Sequence, residues 1–411
     1  MAVIARKVPS TMYRKSRDVY RGIYFQAVLL GLISFTQPGI WTALNTLGAG
    51  GQAEPYVVNA ANGITFGIMF FFSPIASIIG NMIGMKWVIL FGTLGYVPYS
   101  TALYCNSKLG TQWFLLFGAT TCGLSAAALW QGEGSVVVGY PEVSRRRKCI
   151  AIRLSPNKLG SIISSAIQLS LNADGEAKGS ISPRTYIVLV GLQCLGPPLA
   201  LLISSPEKLI RKDGKKPVFT NQDRTFKSQF QGYLAQFRRE EVVLLIPAFI
   251  ASQWGVTYQG NYLAAYYSVR ARTLAGFVVS VARGLWYLLL ALFTAVWIWN
   301  LVLQDRYRKH YPGTIDWTSP KYGEGLALFI LYRITYETVS IWLFWVLRTY
   351  DVEADMVALS MAILRAGESL GSALSYAIGA SRSVSLMTNL IISVVAFYVS
   401  APTTTWAAQI V

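Results

Sequence analysis

"SPEKLIRKDGKKPVFTNQDRTFKSQFQGYLAQFRRE", residues 205–240, is the one long polar insert between the apolar runs of this chain, and it carries nine Lys/Arg. Crossing a bilayer as a helix takes about 20 mostly apolar residues. Runs of that kind are predicted at 22–46, 56–80, 86–105, 112–138, 149–171 and 185–204 before the insert. They recur at 242–266, 273–303, 325–347, 355–380 and 384–401 after it. The 411 residues are 53% hydrophobic and only 13% charged, against about 25% charged in soluble domains. The reading is an all-α polytopic membrane protein. It comprises a polar tail (1–21), a six-helix bundle (22–204), the basic linker (205–240) and a second bundle of five or six helices (241–411).

The cations orient the chain. Arg6, Lys7, Arg14, Lys15, Arg17 and Arg21 precede the first span, and Arg145, Arg146, Arg147 and Lys148 follow the fourth. Loops rich in Lys and Arg stay in the cytoplasm, so the N-terminus and the linker are expected there, the linker against anionic headgroups. A formal net charge of +17 in a soluble protein would point to nucleic acid. Here the cations lie between spans, and the lipid bilayer is the expected partner instead. The first span is too long for a signal core, so no cleavable leader is expected. Cys105, Cys122, Cys149 and Cys194 lie in or beside apolar runs without paired spacing, and the single histidine, His310, lies in a polar loop. Neither a disulfide framework, a zinc site nor an enzyme of the triad type fits that inventory, and no prosthetic cofactor is implied.

One run resists counting. "TLAGFVVSVARGLWYLLLALFTAVWIWNLVL", residues 273–303, would make a helix of about 46 Å against a hydrocarbon core of about 30 Å. Arg283 lies inside it, where no lipid-facing arginine belongs. Either one tilted helix runs here, giving eleven spans, or a hairpin has lost its middle, giving twelve with both termini cytoplasmic.

The first span is broken by polar residues. "FTQPGIWTALNTLGAGG", Phe35–Gly51, contains Gln37, Pro38, Thr42 and Asn45 and ends in glycines. Pro38 removes the hydrogen bond to the carbonyl of Ser34 and bends the helix. Ser34, Pro38, Trp41, Thr42 and Asn45 share one face at helical spacing. That face either lines a water-filled path or packs closely on a neighbour through Gly39 and Ala43. "QWGVTYQGNY", Gln253 to Tyr262, places Tyr258, Gln259 and Asn261 in the first span after the linker as a matching polar patch.

Charges inside spans cost about 2.5–3.5 kcal/mol each by insertion scales, so each needs a reason. Glu133 lies in the fourth span without a partner in its own helix, which makes it the candidate proton site. Arg333 and Glu337 share a face at i,i+4, and Arg365 and Glu368 lie at i,i+3. They either line a central cavity or pair structurally. Arg153, near the start of the fifth span, is expected to snorkel to the headgroups.

Six spans, a basic linker and five or six more match the layout of the major facilitator superfamily. The wording "FTQPGIWTALNTLGAGGQAEP", "FGTLGYVPYSTALY", "ALWQGEGSVVVGYPEVSRRRKCIAI" and "SSPEKLIRKDGKKP" resembles its Unc-ninety-three-like branch, especially fungal members, across residues 20–400. "VVLLIPAFIASQWGVTYQGNYLAAYYSVRAR", residues 242–272, carries the resemblance past the linker. One hallmark departs: the superfamily's loop G-x-x-x-D-R-x-G-R reads "GNMIGMK", residues 80–86, with Asn81 at the acidic position. The resemblance implies two helical bundles and transport of a small polar solute by alternating access, with a proton gradient as the default driving force. It equally implies a rival: a non-transporting adaptor that regulates an ion channel or escorts another membrane protein. A non-functional product shortened near 273–303 is the third reading.

Overall fold

The computed structural model describes residues 18–52, 55–175, 179–205, 208–211, 225–282, 293–350 and 354–409. They form helices α1 (Ile23–Thr46), α2 (Pro55–Ile83), α3 (Met85–Leu109), α4 (Gln112–Gly139), α5 (Val143–Leu171) and α6 (Pro183–Leu201) before the linker. The linker contributes a short helix, α7 (Phe226–Gln236). Beyond it run α8 (Glu240–Tyr266), α9 (Val269–Ala282), α10 (Phe293–Lys309), α11 (Tyr322–Tyr350), α12 (Ala354–Ala380) and α13 (Leu386–Gln409). Seven of them, α1, α2, α3, α4, α6, α8 and α13, are long and apolar enough to cross a membrane. At 29, 29 and 27 residues, α5, α11 and α12 have the length too. These three carry six of the charged residues discussed below: Arg153, Lys158, Arg333, Glu337, Arg365 and Glu368.

The helices alternate in direction between two ends, here the linker end and the far end. At the linker end Asn81 at the foot of α2 donates to Gln229 of α7 at 3.4 Å, and Lys86 at the head of α3 donates to the Leu201 carbonyl at 3.0 Å. Gly84 makes the α2–α3 turn at φ +97°, a conformation L side chains rarely adopt. At the far end, one cleft brings Pro55 and Tyr56 of α2 beside Asn261 of α8, Gly379 of α12 and Leu386 of α13. The first half packs around one apolar cluster containing Leu30, Ile33, Leu44, Ile89, Tyr96 and Leu129. The second half holds an aromatic cluster around Tyr258, Tyr262, Tyr267, Trp297 and Phe329. Gly63 and Phe66 of α2 meet Tyr376 of α12 across the halves, the two rings stacked with centroids 5.6 Å apart.

The long run 273–303 is not a single tilted helix. Tyr307 near the end of α10 stacks on Tyr262 at 6.2 Å and lies 5.1 Å from the Tyr266 ring, at the end of α8 where α9 begins. So α9 leaves the far end and α10 returns to it, as a hairpin. The described parts of its arms, 14 and 17 residues, account for about 21 and 26 Å. Arg283 is among residues 283–292, which lie outside the described residues.

The kink in α1 is a π-helical turn over Phe35–Gly39. Pro38 cannot donate to the Ser34 carbonyl, and Asn157 of α5 donates to it instead at 3.3 Å. The Gly39 carbonyl accepts from Ser161 at 3.1 Å. A Cβ on Gly160 would stand 2.7 Å from the Phe35 carbonyl oxygen. Close packing of α1 on α5 accounts for this part of the broken helix.

Candidate functional site

The charges that sequence reading singled out converge at mid-depth between the halves. Glu133 of α4 is fully buried, and Ser34 of α1 donates to both its carboxylate oxygens at 2.7 and 2.8 Å. Its counter-ion is Arg153 of α5. Arg153 does not reach the headgroups: it starts about 15 Å into its helix, is 7% exposed, and lies over the Trp130 ring at 5.4 Å. A carboxylate one helix away is a better partner than a climb to the interface, because leaving Glu133 unpaired in hydrocarbon would cost more.

The second half supplies the other members. Arg365 of α12 lies over the same Trp130 ring at 4.6 Å and pairs with Glu368 at 2.6 Å. Ser340 of α11 donates to the second Glu368 oxygen at 3.1 Å. The i,i+3 spacing therefore makes the intrahelical pair. The i,i+4 spacing of Arg333 and Glu337 places both on one face, but Glu337 reaches across the halves and accepts from Lys158 of α5 at 2.7 Å. Arg333 is buried over the Phe329 ring at 5.5 Å. Two contacts thus join the halves here, Lys158 to Glu337 and Arg365 to Trp130. A desolvated cation over an aromatic face is worth up to about 2 kcal/mol.

The polar candidates divide. Asn261 of α8 joins the halves at the far end: Asn59 of α2 donates to its side-chain oxygen at 2.8 Å and to the Gly379 carbonyl at 3.0 Å. Asn45 stays within the first half, accepting from Asn62 at 2.9 Å, while Tyr99 donates to Asn62 at 2.6 Å. Gln37 is fully buried against α6, donating to the Gln193 carbonyl at 2.7 Å, away from the charged cluster. Tyr258 donates to Gln304 at 3.0 Å inside the aromatic cluster. Gln259 is 1% exposed, and its amide nitrogen has no acceptor among the described residues.

Sequence reading missed the far-end closure. Arg272, at the start of α9, is 2% exposed. It donates to the carbonyls of Leu47 and Gly48, each at 2.8 Å, of Gly179 at 3.2 Å and of Gln52 at 3.5 Å. All four acceptors belong to the first half. Gly48, Gly50 and Gly51 have φ of +76°, +56° and +78°, and this turn aims the last carbonyls of α1 at the guanidinium. A Cβ on Gly48 would stand 2.2 Å from the Gly260 carbonyl oxygen, so only glycine lets α1 and α8 approach this closely. Nearby, Arg270 and Ser268 hold Asp316 at 2.6 and 2.8 Å, and the Arg270 amide donates to the Gly175 carbonyl at 2.8 Å. The Arg270 guanidinium holds the Asp316 carboxyl well below the usual carboxylate range, helped by Ser268 and Thr318 against the opposing effect of desolvation. A cation just before a predicted span carries no sequence signal for such a clamp.

Three comparisons bear on this architecture. The family described as "Ion channel regulatory protein UNC-93" matches residues 53–270. The chain is 30% identical over 387 residues to the Notoamide biosynthesis cluster protein O' of Aspergillus versicolor, covering 88% of this chain and 83% of the relative. It is 27% identical over 403 residues to an UNC93-like protein of Schizosaccharomyces pombe, covering 89% and 80%. Among solved structures, a POT family transporter in complex with a thioalcohol-conjugated peptide superposes with a TM-score of 0.64 at 11% identity. That superposition covers 93% of this chain and 96% of the transporter. The helical architecture is the major facilitator fold.

Proposed function

The chain belongs to the UNC-93 family, and from that premise we propose that it moves a small polar solute across the membrane by alternating access between its two halves. The observation that carries this reading is the mid-depth ion pair of Lys158 and Glu337, one residue from each half, with side chains 34% and 17% exposed. A pair that bridges rigid halves at the centre can break and reform as they rock. The far end is shut by Arg272, Asn59–Asn261 and the Gly48–Gly260 contact, so the arrangement is a state closed on that side. The linker end is the cytoplasmic end in this reading, as the cations of 205–240 require, and the halves are 22–204 and 241–411. Glu133, paired with Arg153, is the candidate proton site in this reading. Reconstituted protein tests this directly. Solute uptake that rises with an inward proton gradient and disappears in Glu133→Gln supports transport. Uptake equal to that of empty liposomes across a panel of charged and neutral solutes refutes it.

A second reading has its own support. The family's description is that of an ion channel regulator, and Asn81 stands where transporters of the fold carry a loop aspartate. It is bound to α7 rather than to a cation across the halves. A non-transporting adaptor would co-purify with a channel or receptor whose activity changes when this chain is removed.

A further inference from the structure

The far-end cleft lies apart from the mid-depth charges. It encloses about 320 Å³, at the small end of ligand sites, whose range begins at about 300 Å³. Its inner wall is the bridge between the halves, where Asn59 donates to the Asn261 side-chain oxygen and to the Gly379 carbonyl. Pro55 and Tyr56, one turn before Asn59, line it from the first half, and Ser381, Val384 and Ser385 of the α12–α13 turn line it from the second. The cleft therefore lies on the outer side of the bridge. Arg382 of the same turn lies over the Tyr56 ring at 5.1 Å, a further contact between the halves.

One group in this cleft is left incomplete. Asn389, in the first turn of α13, is 2% exposed, and its side-chain oxygen has no hydrogen-bond partner among the described residues. A buried acceptor without a donor costs stability, and native proteins leave few of them. The neighbouring hydroxyls are engaged elsewhere: Ser385 with Thr388 and Ser381 with Ser383, each at 2.8 Å. Among the described residues the cleft is lined by twelve, none of them charged, so an ion entering it would lose water without meeting a counter-charge on its walls. Pro55, Ala264, Ile378 and Leu386 offer carbon surface. Asn389 needs a donor, and Asn261, whose oxygen is taken by Asn59, has an amide that can donate. A hydroxyl is donor and acceptor at once and suits both.

We propose that this cleft binds a small neutral polyol, with one hydroxyl donating to the Asn389 side-chain oxygen and the carbon face of the polyol against the apolar walls. The site does not depend on the transport reading. Because both halves line it, a bound polyol favours the state closed at the far end.

The test uses the purified full chain in nanodiscs and four probes: glucose, myo-inositol, the anion glucuronate and the cation N-methylglucamine. They are supplied at millimolar concentration, too dilute for the general stabilisation that sugars exert by exclusion from protein surfaces. Glucose or myo-inositol should raise the unfolding midpoint saturably, and the two charged probes should not. Asn389→Leu removes the unpaired acceptor at similar volume, so its own midpoint should not fall, while polyol binding should weaken about tenfold or more. Ala264→Met fills the cleft from α8 and should abolish the shift, which keeps the site testable if Asn389→Leu folds poorly. No saturable shift with either neutral polyol overturns the proposal. So does an equal shift with either charged probe, or polyol affinity that is unchanged in both variants. These readings are of binding, so absent solute uptake refutes transport and leaves this site standing, and uptake without polyol binding removes this site alone.

Discussion

Replacing Arg272 by alanine should open the far end. The guanidinium makes two short bonds, to the Leu47 and Gly48 carbonyls at 2.8 Å, and two longer ones. A hydrogen bond to a charged group contributes about 1.5–3 kcal/mol, and these acceptors end α1, where the helix dipole favours a cation. The two short bonds together are worth about 3–6 kcal/mol. Every bond runs from the second half to the first, so their loss falls on the closed state: once the halves part, water satisfies both sides. The equilibrium should then shift toward the open state by about two to four powers of ten. The readout is a single cysteine at Thr257, which is 2% exposed, in a protein whose four native cysteines have been replaced. Its reaction with a membrane-impermeant thiol reagent from the far side should be slow with Arg272 present and faster by about 100-fold or more in Arg272→Ala. Arg272→Lys should fall between, because an ammonium lacks the fork that spans several carbonyls. Gly48→Ala should reach the same open state independently, since its Cβ would collide with the Gly260 carbonyl. Equal rates in wild type and Arg272→Ala would refute the clamp.

Three further outcomes follow from the packing. Glu133→Gln leaves Arg153 buried without its counter-ion and should cost about 3–5 kcal/mol; Glu133→Gln with Arg153→Gln should recover much of the loss in thermal unfolding. Gly160→Val should force α1 off α5 at the Phe35 carbonyl and cost about 1–3 kcal/mol, lowering the unfolding midpoint, whereas Gly67→Ala, where a Cβ meets open space, should change little. Asp316 has a carboxyl held below its unfolded range, so its contribution is present in full above the unfolded value of about 3.9 and is lost as pH falls through the lower folded value. The stability difference between wild type and Asp316→Asn should therefore be flat from neutral pH down to about 4 and shrink below it; a difference that grows on acidification would contradict the Arg270 contact.

Much of the fold was legible in the chain because burial in lipid is written in composition. An apolar run long enough to span and a proline inside a helix each act locally, and each appears in the structure at its place. The site was legible only as an inventory. Glu133, Glu337, Arg365 and Glu368 stand out because a charge inside a span demands a partner, and Arg365–Glu368 was readable since both residues share one helix. The partners of Glu133 and Glu337 were not: Arg153 was assigned to the headgroups, and Lys158 meets Glu337 from 179 residues away. Gln37, one of the polar residues in the broken first span, packs against α6, because which side of a helix faces its neighbour depends on how the helices cross.

The sequence by itself determined a two-part helical membrane protein, its linker, the kink at Pro38 and the set of charges that hydrocarbon cannot leave alone. Only the tertiary structure decided that α9 and α10 form a hairpin and that Trp130 lies beneath guanidinium groups from both halves. It alone showed the glycine turn at 48–51 clamped by Arg272 from 225 residues away. Hydropathy and backbone restriction act over a few residues and can be read along the chain. Ion pairs and carbonyl clamps depend on which helices become neighbours, and that is settled only when all the apolar surfaces are packed at once.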